Sequence, residues 1–423
     1  MKLELAKGVR DIPPEEKILK DKIFKIIERT FQLYGFMPLE TPTIERYETL
    51  AAKFGSGKES DALKETFKLK DQGGRKLGLR FELTTSLARY VANNPALKLP
   101  FKRYEFGRVF RDGPIKLGRY REFWQCDADI IGSNSMLADA ECIAVADRVF
   151  KELSFNFVIK INNRKILNGI LTQAGIAQRK EALIAIDKLD KIGEAGVSKE
   201  LKQKGYPDKQ IKEVFQLISS GISLAELKQN LTDPEGKQGL GELLELTGYL
   251  KQMKIEFQFD VTLARGQAYY TGTVMEAYLK DSPITSSIAG GGRYDKMIGG
   301  FMDNNREIPA VGISFGIEPI MDALKLANQV KEKTEAKLLI IPINTVPRSL
   351  EVAQQLRTAG INTDFALGKK GVSKNLEYAN VLGIPYVVII GEDELKKNKV
   401  KLKDMKSGKE QMLSNKDVIK KLN

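Results

Sequence analysis

A chain of 423 residues with 42% hydrophobic content is long enough for two or three domains and apolar enough for a full core. Its 68 Lys and Arg against 55 Asp and Glu give a net charge of +13, which suits a polyanionic partner such as nucleic acid, although a lysine-rich solubilising surface would give the same balance. There is no histidine, which excludes Ser-His and Cys-His nucleophiles, histidine acid–base catalysis and histidine metal sites; what remains suits phosphate chemistry, where positioning and charge neutralisation dominate.

The opening "MKLELAKGVRDIPPEE" lacks the apolar run of a secretory signal, and no window is long and apolar enough for a membrane span. Cys126 and Cys142 have no CxxC spacing and read as reduced thiols, so a cytoplasmic location is expected. Residues 13–36 predict an amphipathic helix: Pro13 and Pro14 open it, acids fill the first turn, Leu19, Ile23, Ile26 and Ile27 recur at helical spacing, and Gly35 ends it. "FMPLETPTIE" reads as a strand interrupted by Pro38 and Pro42, hence at an edge or interface. Residues 67–83 predict a hairpin turning at Gly73-Gly74. "FKRYEFGRVFRDG" and "EFWQCDADIIG" predict two further strands around the loop "DGPIKLGRYR".

From about 164 to 250 the pattern turns helical, and strands are expected to resume at "FQFDVTLARG". The glycines of "AGGGRYD" mark either a tight turn or a close backbone approach to a ligand. "PAVGISFGIEPIMDALKLA" predicts a strand running into a helix, and residues 326–336 a linker. Beyond it, "KLLIIPI", "PRSLEVAQQLRTAG", "INTDFAL", "VSKNLEYANVLG" and "PYVVII" alternate as βαβαβ, a small parallel-type α/β domain.

Candidate chemistry gathers in three places. Arg111, Lys116, Arg119 and Arg121 surround the "DGPIKLGRY" loop, and arginine makes bidentate phosphate contacts. Taken alone, they would also fit a solvated basic hairpin. There is no Walker A sequence and no GxGxxG after a strand. Gln125, Asp127 and Asp129 share one strand face, unusually polar for a strand ending in Ile130-Ile131. Finally, "LARGQAYYTGTVMEAY" sets Arg265 just before Tyr269 and Tyr270.

The order "YGFMPLETP", "LRFELTTSLARY", "RVFRDGPIKLGRYREFWQCDADIIG", "LARGQAYYTGTVMEAY", "AGGGRYD" and "AVGISFGIEP" resembles the histidyl-tRNA synthetases over nearly the whole chain. The "GRYREFWQCD" block looks most like their archaeal and eukaryotic branch, and the C-terminal stretch resembles the anticodon-binding domain shared with the Gly, Thr and Pro enzymes. The resemblance implies an α+β catalytic domain over 1–325, built on an antiparallel class II sheet with a helical insertion, then a C-terminal α/β anticodon-binding domain over 337–423. It implies ATP with Mg²⁺, L-histidine and histidine tRNA as substrates, a homodimer formed through the segment ending near Pro42, and no metal held by the protein alone. It places Arg265 and Arg111 at the reacting carboxylate and α-phosphate. Asp129 and Tyr270, beside Tyr269, fall at the imidazole, and Glu82, Thr84 and Gln125 at the α-amino group. Arg111, Arg119, Phe123 and Glu318 fall at ATP. Lys369, Lys370 and Lys374 are candidate tRNA contacts, and a solvated lysine cluster is the simpler reading of each.

Strict alternation would send 265 and 270 to opposite faces, so a break at Gly266 is expected. Two positions depart from the family pattern. Pro319 stands where the family's Gly-x-Glu-Arg has arginine, and Gln267-Ala268 stands where it has Leu-Asp. These departures leave a second reading, a synthetase paralogue without charging activity, like the regulatory subunit of ATP phosphoribosyltransferase, or a tRNA-binding protein.

Overall fold

The computed structural model describes residues 3–52, 61–218, 222–265, 269–302, 306–327, 332–368 and 371–423. The chain divides into two compact units, Met1–Arg10 with Ile23–Ala323, and Asp11–Lys22 with Leu324–Asn423. The first is built on an eight-stranded sheet. Its strands are β1 (Met37–Pro38), β2 (Phe101–Phe110), β3 (Glu122–Ile131), β4 (Phe157–Asn163), β5 (Gln258–Phe259), β6 (Thr273–Leu279), β7 (Ala289–Arg293) and β8 (Ala310–Gly316). They run in the order β1-β2-β3-β8-β7-β6-β4-β5. The inner strands pair antiparallel, while β1 and β5 join their neighbours in parallel. Proline-bearing β1 lies at the edge, where its missing N–H costs nothing.

Alternation gives this sheet two different faces. Tyr104 and Phe106 of β2, Cys126 and Ala128 of β3, and Phe315 of β8 line one of them. The helix Pro14–Leu33 covers it, with Ile23, Ile27 and Phe31 buried at four-residue spacing. Phe31 packs within 5.9 Å of both Phe106 and Phe315, and Phe150 of the helix Met136–Glu152 lies 5.6 Å from Phe315. Gly35, at φ 75°, ends the first helix. A separate three-stranded sheet holds Ile44–Arg46 and the hairpin of Lys68–Lys70 and Lys76–Leu79, whose turn has Gly74 at φ 76°.

Between β4 and β5 the chain is helical, ending in the long helix Pro234–Gln252. One helix there, Leu224–Asn230, opens on a Ser223–Glu226 capping box, a signal readable in the sequence. The strand expected over "FQFDVTLARG" stops at Phe259. The Asp260 carboxylate accepts from the Thr262 N–H at 3.0 Å, and this local turn ends the ladder.

In the second unit, β9 (Leu338–Pro342), β10 (Thr363–Phe365) and β11 (Tyr386–Ile390) pair in parallel, as the βαβαβ rhythm predicts. The sheet is mixed, however. Antiparallel β12 (Val400–Asp404) and β13 (Glu410–Leu413) extend it through a turn closed by the Asp404 carboxylate, which accepts from the Lys406 and Ser407 N–H groups.

Candidate active site

The other face of the large sheet is polar, and its cross-strand register explains why. Arg103 of β2 lies opposite Asp129 of β3, and Glu105 opposite Asp127. On β8, Gly312 pairs with Asp129 and Ser314 with Asp127. On β7, Gly292 and Gly290 continue the same two rows. The glycines leave room for functional side chains. A Cβ at Gly312 would collide with the Asp129 carboxylate, and one at Gly290 with the Arg265 guanidinium. At Gly292 it would come within 2.8 Å of the Tyr270 ring. The glycines of "AGGGRYD" thus lie in a strand rather than a tight turn, and Gly290 and Gly292 pack closely against side chains of this face.

Around this floor the structure gathers most of the predicted residues. Glu82 accepts from the Thr85 hydroxyl at 2.8 Å and the Tyr269 hydroxyl at 3.3 Å. Thr84 is buried in the first turn of the helix Thr84–Ala92. Gln125 Nε2 donates to Ser314 Oγ at 2.6 Å, which leaves its buried Oε1 with no hydrogen-bond partner. Tyr269 and Tyr270 pack at 4.7 Å between ring centroids, and the Arg265 guanidinium lies 5.5 Å from the Tyr270 ring. Arg265 and Tyr270 thus come together, but on the segment preceding a strand that starts only at Thr273. Arg265 is in the left-handed region at φ 54°, a conformation disfavoured for an L-residue and concentrated at functional sites. Gly266, the expected break, and the departures Gln267 and Ala268 lie outside the described residues.

Arg111 sits between two rings, 4.3 Å from Phe81 and 5.0 Å from Phe123, with Nε donating to the Phe81 carbonyl at 3.2 Å. Burial lowers its pKa, the nearby Glu82 opposes this, and an arginine so placed is still charged at neutral pH. Arg119 is exposed and meets Glu65 only at 3.5 Å. Glu318 is buried and accepts from the Trp124 N–H at 2.8 Å. Pro319 is buried in the first turn of Ile317–Leu326, where a proline is tolerated, with its ring against Gly118 and Gly316. The "DGPIKLGRY" loop is held to the same helix by Asp322, which accepts from the Gly118 N–H at 3.2 Å and the Tyr120 hydroxyl at 3.3 Å. Lys374 is exposed on the second unit, and Lys369 and Lys370 lie outside the described residues. Among the described residues no acidic or cysteine cluster has the arrangement to hold a metal.

Four buried residues escaped the sequence reading. Arg103 Nη2 lies 2.8 Å from Asp129 Oδ2, and Nη1 lies 3.6 Å from Glu105. Glu105 Oε1 accepts from Arg80 Nη1 at 2.9 Å and from both the N–H and the hydroxyl of Thr41. The Tyr294 hydroxyl donates to Asp129 Oδ1 at 2.6 Å. Alternation in "KRYEF" put Arg103 and Glu105 on one face; only the register reveals their partners.

Burial and the neighbouring Asp129 push the Asp127 carboxyl up to about 8, so it holds its proton at neutral pH. Its folded value is above its unfolded one. The favourable contribution is therefore complete only below the unfolded carboxyl range and is lost as pH rises through about 8. Asp127→Asn is expected to raise the melting temperature by several degrees at pH 8 and by much less at pH 5, as thermal melts at the two values would show.

An antiparallel sheet carrying its functional groups across one face, with a separate C-terminal α/β unit, defines a class II aminoacyl-tRNA synthetase. The chain belongs to the histidyl-tRNA synthetase family: the profile described as "Histidyl-tRNA synthetase" matches residues 8–320, and "Anticodon binding domain" matches 337–423. It is 45% identical to "Histidine--tRNA ligase 1" of Bacillus cereus, over 97% of both chains. It is 38% identical to "Histidine--tRNA ligase" of Clostridium tetani, over 99% of this chain and 98% of that one. Among solved structures, the histidyl-tRNA synthetase of Nostoc sp. PCC 7120 superposes with a TM-score of 0.87 at 32% identity, covering 100% and 99% of the two chains. An ATP phosphoribosyltransferase regulatory subunit/histidyl-tRNA synthetase from Bacillus halodurans C shares the fold alone, at 24% identity and TM-score 0.75.

Proposed function

We infer that this chain is a histidine–tRNA ligase, activating L-histidine with ATP to histidyl-adenylate and transferring it to the 3′ end of histidine tRNA. The observation that carries the reading is the polar sheet face, where Gln125 and Asp129 rise beside glycines that make room for Arg265 and Tyr270. An imidazole offers one ring nitrogen to Asp129 and the other to Tyr270. Glu82, Thr84 and the open Gln125 Oε1 suit an ammonium. A carboxylate oxygen of histidine attacks the α-phosphorus of Mg²⁺-bound ATP, a P–O bond forms, and pyrophosphate leaves with the electron pair. No proton need be removed first, so a chain without histidine can run the step. Arg265 and Arg111 neutralise the charge that develops. Phe123 offers an aromatic face to adenine, and Arg119 and Glu318 complete the ATP contacts.

Histidine-dependent ATP–pyrophosphate exchange on the purified protein tests this reading. Exchange with histidine and no other amino acid is the expected result; a folded protein without exchange would favour the paralogue that does not charge tRNA.

We place the dimer contact at the segment around β1, because Met37 there and Ile44 shortly after it are exposed apolar residues. Among the described residues no helix is long and apolar enough to cross a membrane, and a cytoplasmic enzyme is the consistent setting. The second unit receives the anticodon arm. Lys374→Glu should weaken histidine-tRNA binding several-fold and reduce its salt dependence, since one phosphate contact turns repulsive. Adenylate formation should not change. Filter binding at two salt concentrations, beside the exchange assay, checks both.

A further inference from the structure

The steps above give no part to Arg103, although among the described residues it is the largest fully buried side chain and is 0% exposed. We propose that Arg103 is a positioning residue: it holds Asp129 as the ionised acceptor for the imidazole N–H and so sets the pocket to take histidine in its neutral form. This rests on the histidine–tRNA ligase reading.

The surroundings of Asp129 carry the proposal. From its own strand it faces Asp127, from β2 Arg103 and Glu105, and from the turn before the helix Thr84–Ala92 it faces Glu82. Tyr294, after β7, donates to it, and Cys142 of the helix Met136–Glu152 lies behind. Among the described residues Arg103 is the one cation within ion-pair distance, at 2.8 Å. The other nearby cation, Arg80, is spent on Glu105 and Thr41. Burial and the acidic neighbours raise the Asp129 pKa, and Arg103 acts against them. Without Arg103 the carboxyl would take up a proton and become a donor facing another donor. The buried charges then balance in pairs, Arg103 with Asp129 and Arg80 with Glu105, while Asp127 keeps its proton and Glu82 is left to meet the α-ammonium of the substrate. An imidazolium would bring an unbalanced charge into that space, whereas neutral imidazole would not.

The test uses the full chain in histidine-dependent ATP–pyrophosphate exchange from about pH 6.5 to about pH 9, with Arg103→Met, Arg103→Lys and the double variant Arg103→Met/Asp129→Asn. Arg103→Met should raise the histidine KM about tenfold or more near neutrality, and the gap should narrow as pH rises and Asp129 ionises unaided. The ATP KM should stay near the wild-type value. The double variant should lose the pH dependence and fall far short of the product of the single losses. Folded Arg103→Met with a wild-type histidine KM would overturn the proposal. So would a loss that is equal at every pH and shared by ATP, the mark of a merely structural role. If Arg103→Met does not fold, Arg103→Lys decides: its less well-matched ammonium should give a several-fold rise with the same pH slope, and a flat profile overturns the proposal. A wild type that shows no histidine dependence would refute the ligase reading itself, whereas the ratio of variant to wild type judges Arg103.

Discussion

Asp129→Asn should lower kcat/KM for histidine by about 10³- to 10⁴-fold while the protein stays folded. The amide keeps the size of the carboxylate and can still accept from the Tyr294 hydroxyl, now at 2.6 Å from Oδ1. It loses the charge that faces Arg103, and with its oxygen turned to Tyr294 its second group is an NH2 that can only donate, toward a guanidinium and an imidazole N–H that also donate. Asp129→Ala is a different experiment. It strips the ion-pair partner 2.8 Å from a guanidinium with no exposure to solvent. Breaking a buried pair from one side costs about 3–5 kcal/mol, enough to threaten the fold. Exchange kinetics and thermal melts of both variants separate pocket from scaffold. A folded Asn variant with an unchanged histidine KM would remove Asp129 from the pocket.

Arg265→Gln should reduce kcat by about 10²- to 10³-fold, with the histidine KM moving far less. The guanidinium is already fixed before any substrate arrives. Nη1 donates to the Met275 carbonyl at 3.0 Å, Nε lies 3.4 Å from Glu276, and the Tyr270 ring covers one face. A group held this way pays no reorganisation when charge develops at the α-phosphorus, so its contribution falls in the transition state. Arg265→Lys should recover little, because a single ammonium cannot reach carbonyl, carboxylate and phosphate together. Single-turnover adenylate formation, followed directly, measures the step; wild-type kcat in Arg265→Gln would rule the residue out of it.

Local signals in the sequence carried the outline of both units. The helix ended by Gly35, the hairpin at Gly73-Gly74, the two long strands and the βαβ rhythm of the second unit each rest on periodicity or a turn residue within a short window. The misplacements are of another kind. The strand expected over "FQFDVTLARG" pairs only at Gln258–Phe259 and the next begins at Thr273; between them Arg265 takes a positive φ that no apolar alternation announces. The buried quartet of Arg80, Arg103, Glu105 and Tyr294 stayed hidden because its bonds join residues far apart in sequence. "KRYEF" read alone looks like a solvated basic strand. Strand register turns it into a neutralised core, and register is a property of pairing. The antiparallel end of the second sheet was missed for a related reason, since the lysines of "KVKLKD" masked an alternating strand.

Gly292 and Gly312 bear no functional group, yet the pocket exists because their side chains are missing. An added methyl at Gly292 would sit 2.5 Å from the Thr273 carbonyl, and at Gly312 it would occupy the place of a carboxylate oxygen. A saturation mutagenesis scan should therefore rank both positions alongside Asp129 and Arg265, although neither would meet a reacting atom. Alanine, the usual probe of a lost group, would here be an intruder. In a selection for altered amino-acid specificity, enlarging Gly312 would be the direct route to a smaller chamber, and it would have to be paired with a shorter side chain at 129; Gly292 offers no such route, because what it meets first is backbone.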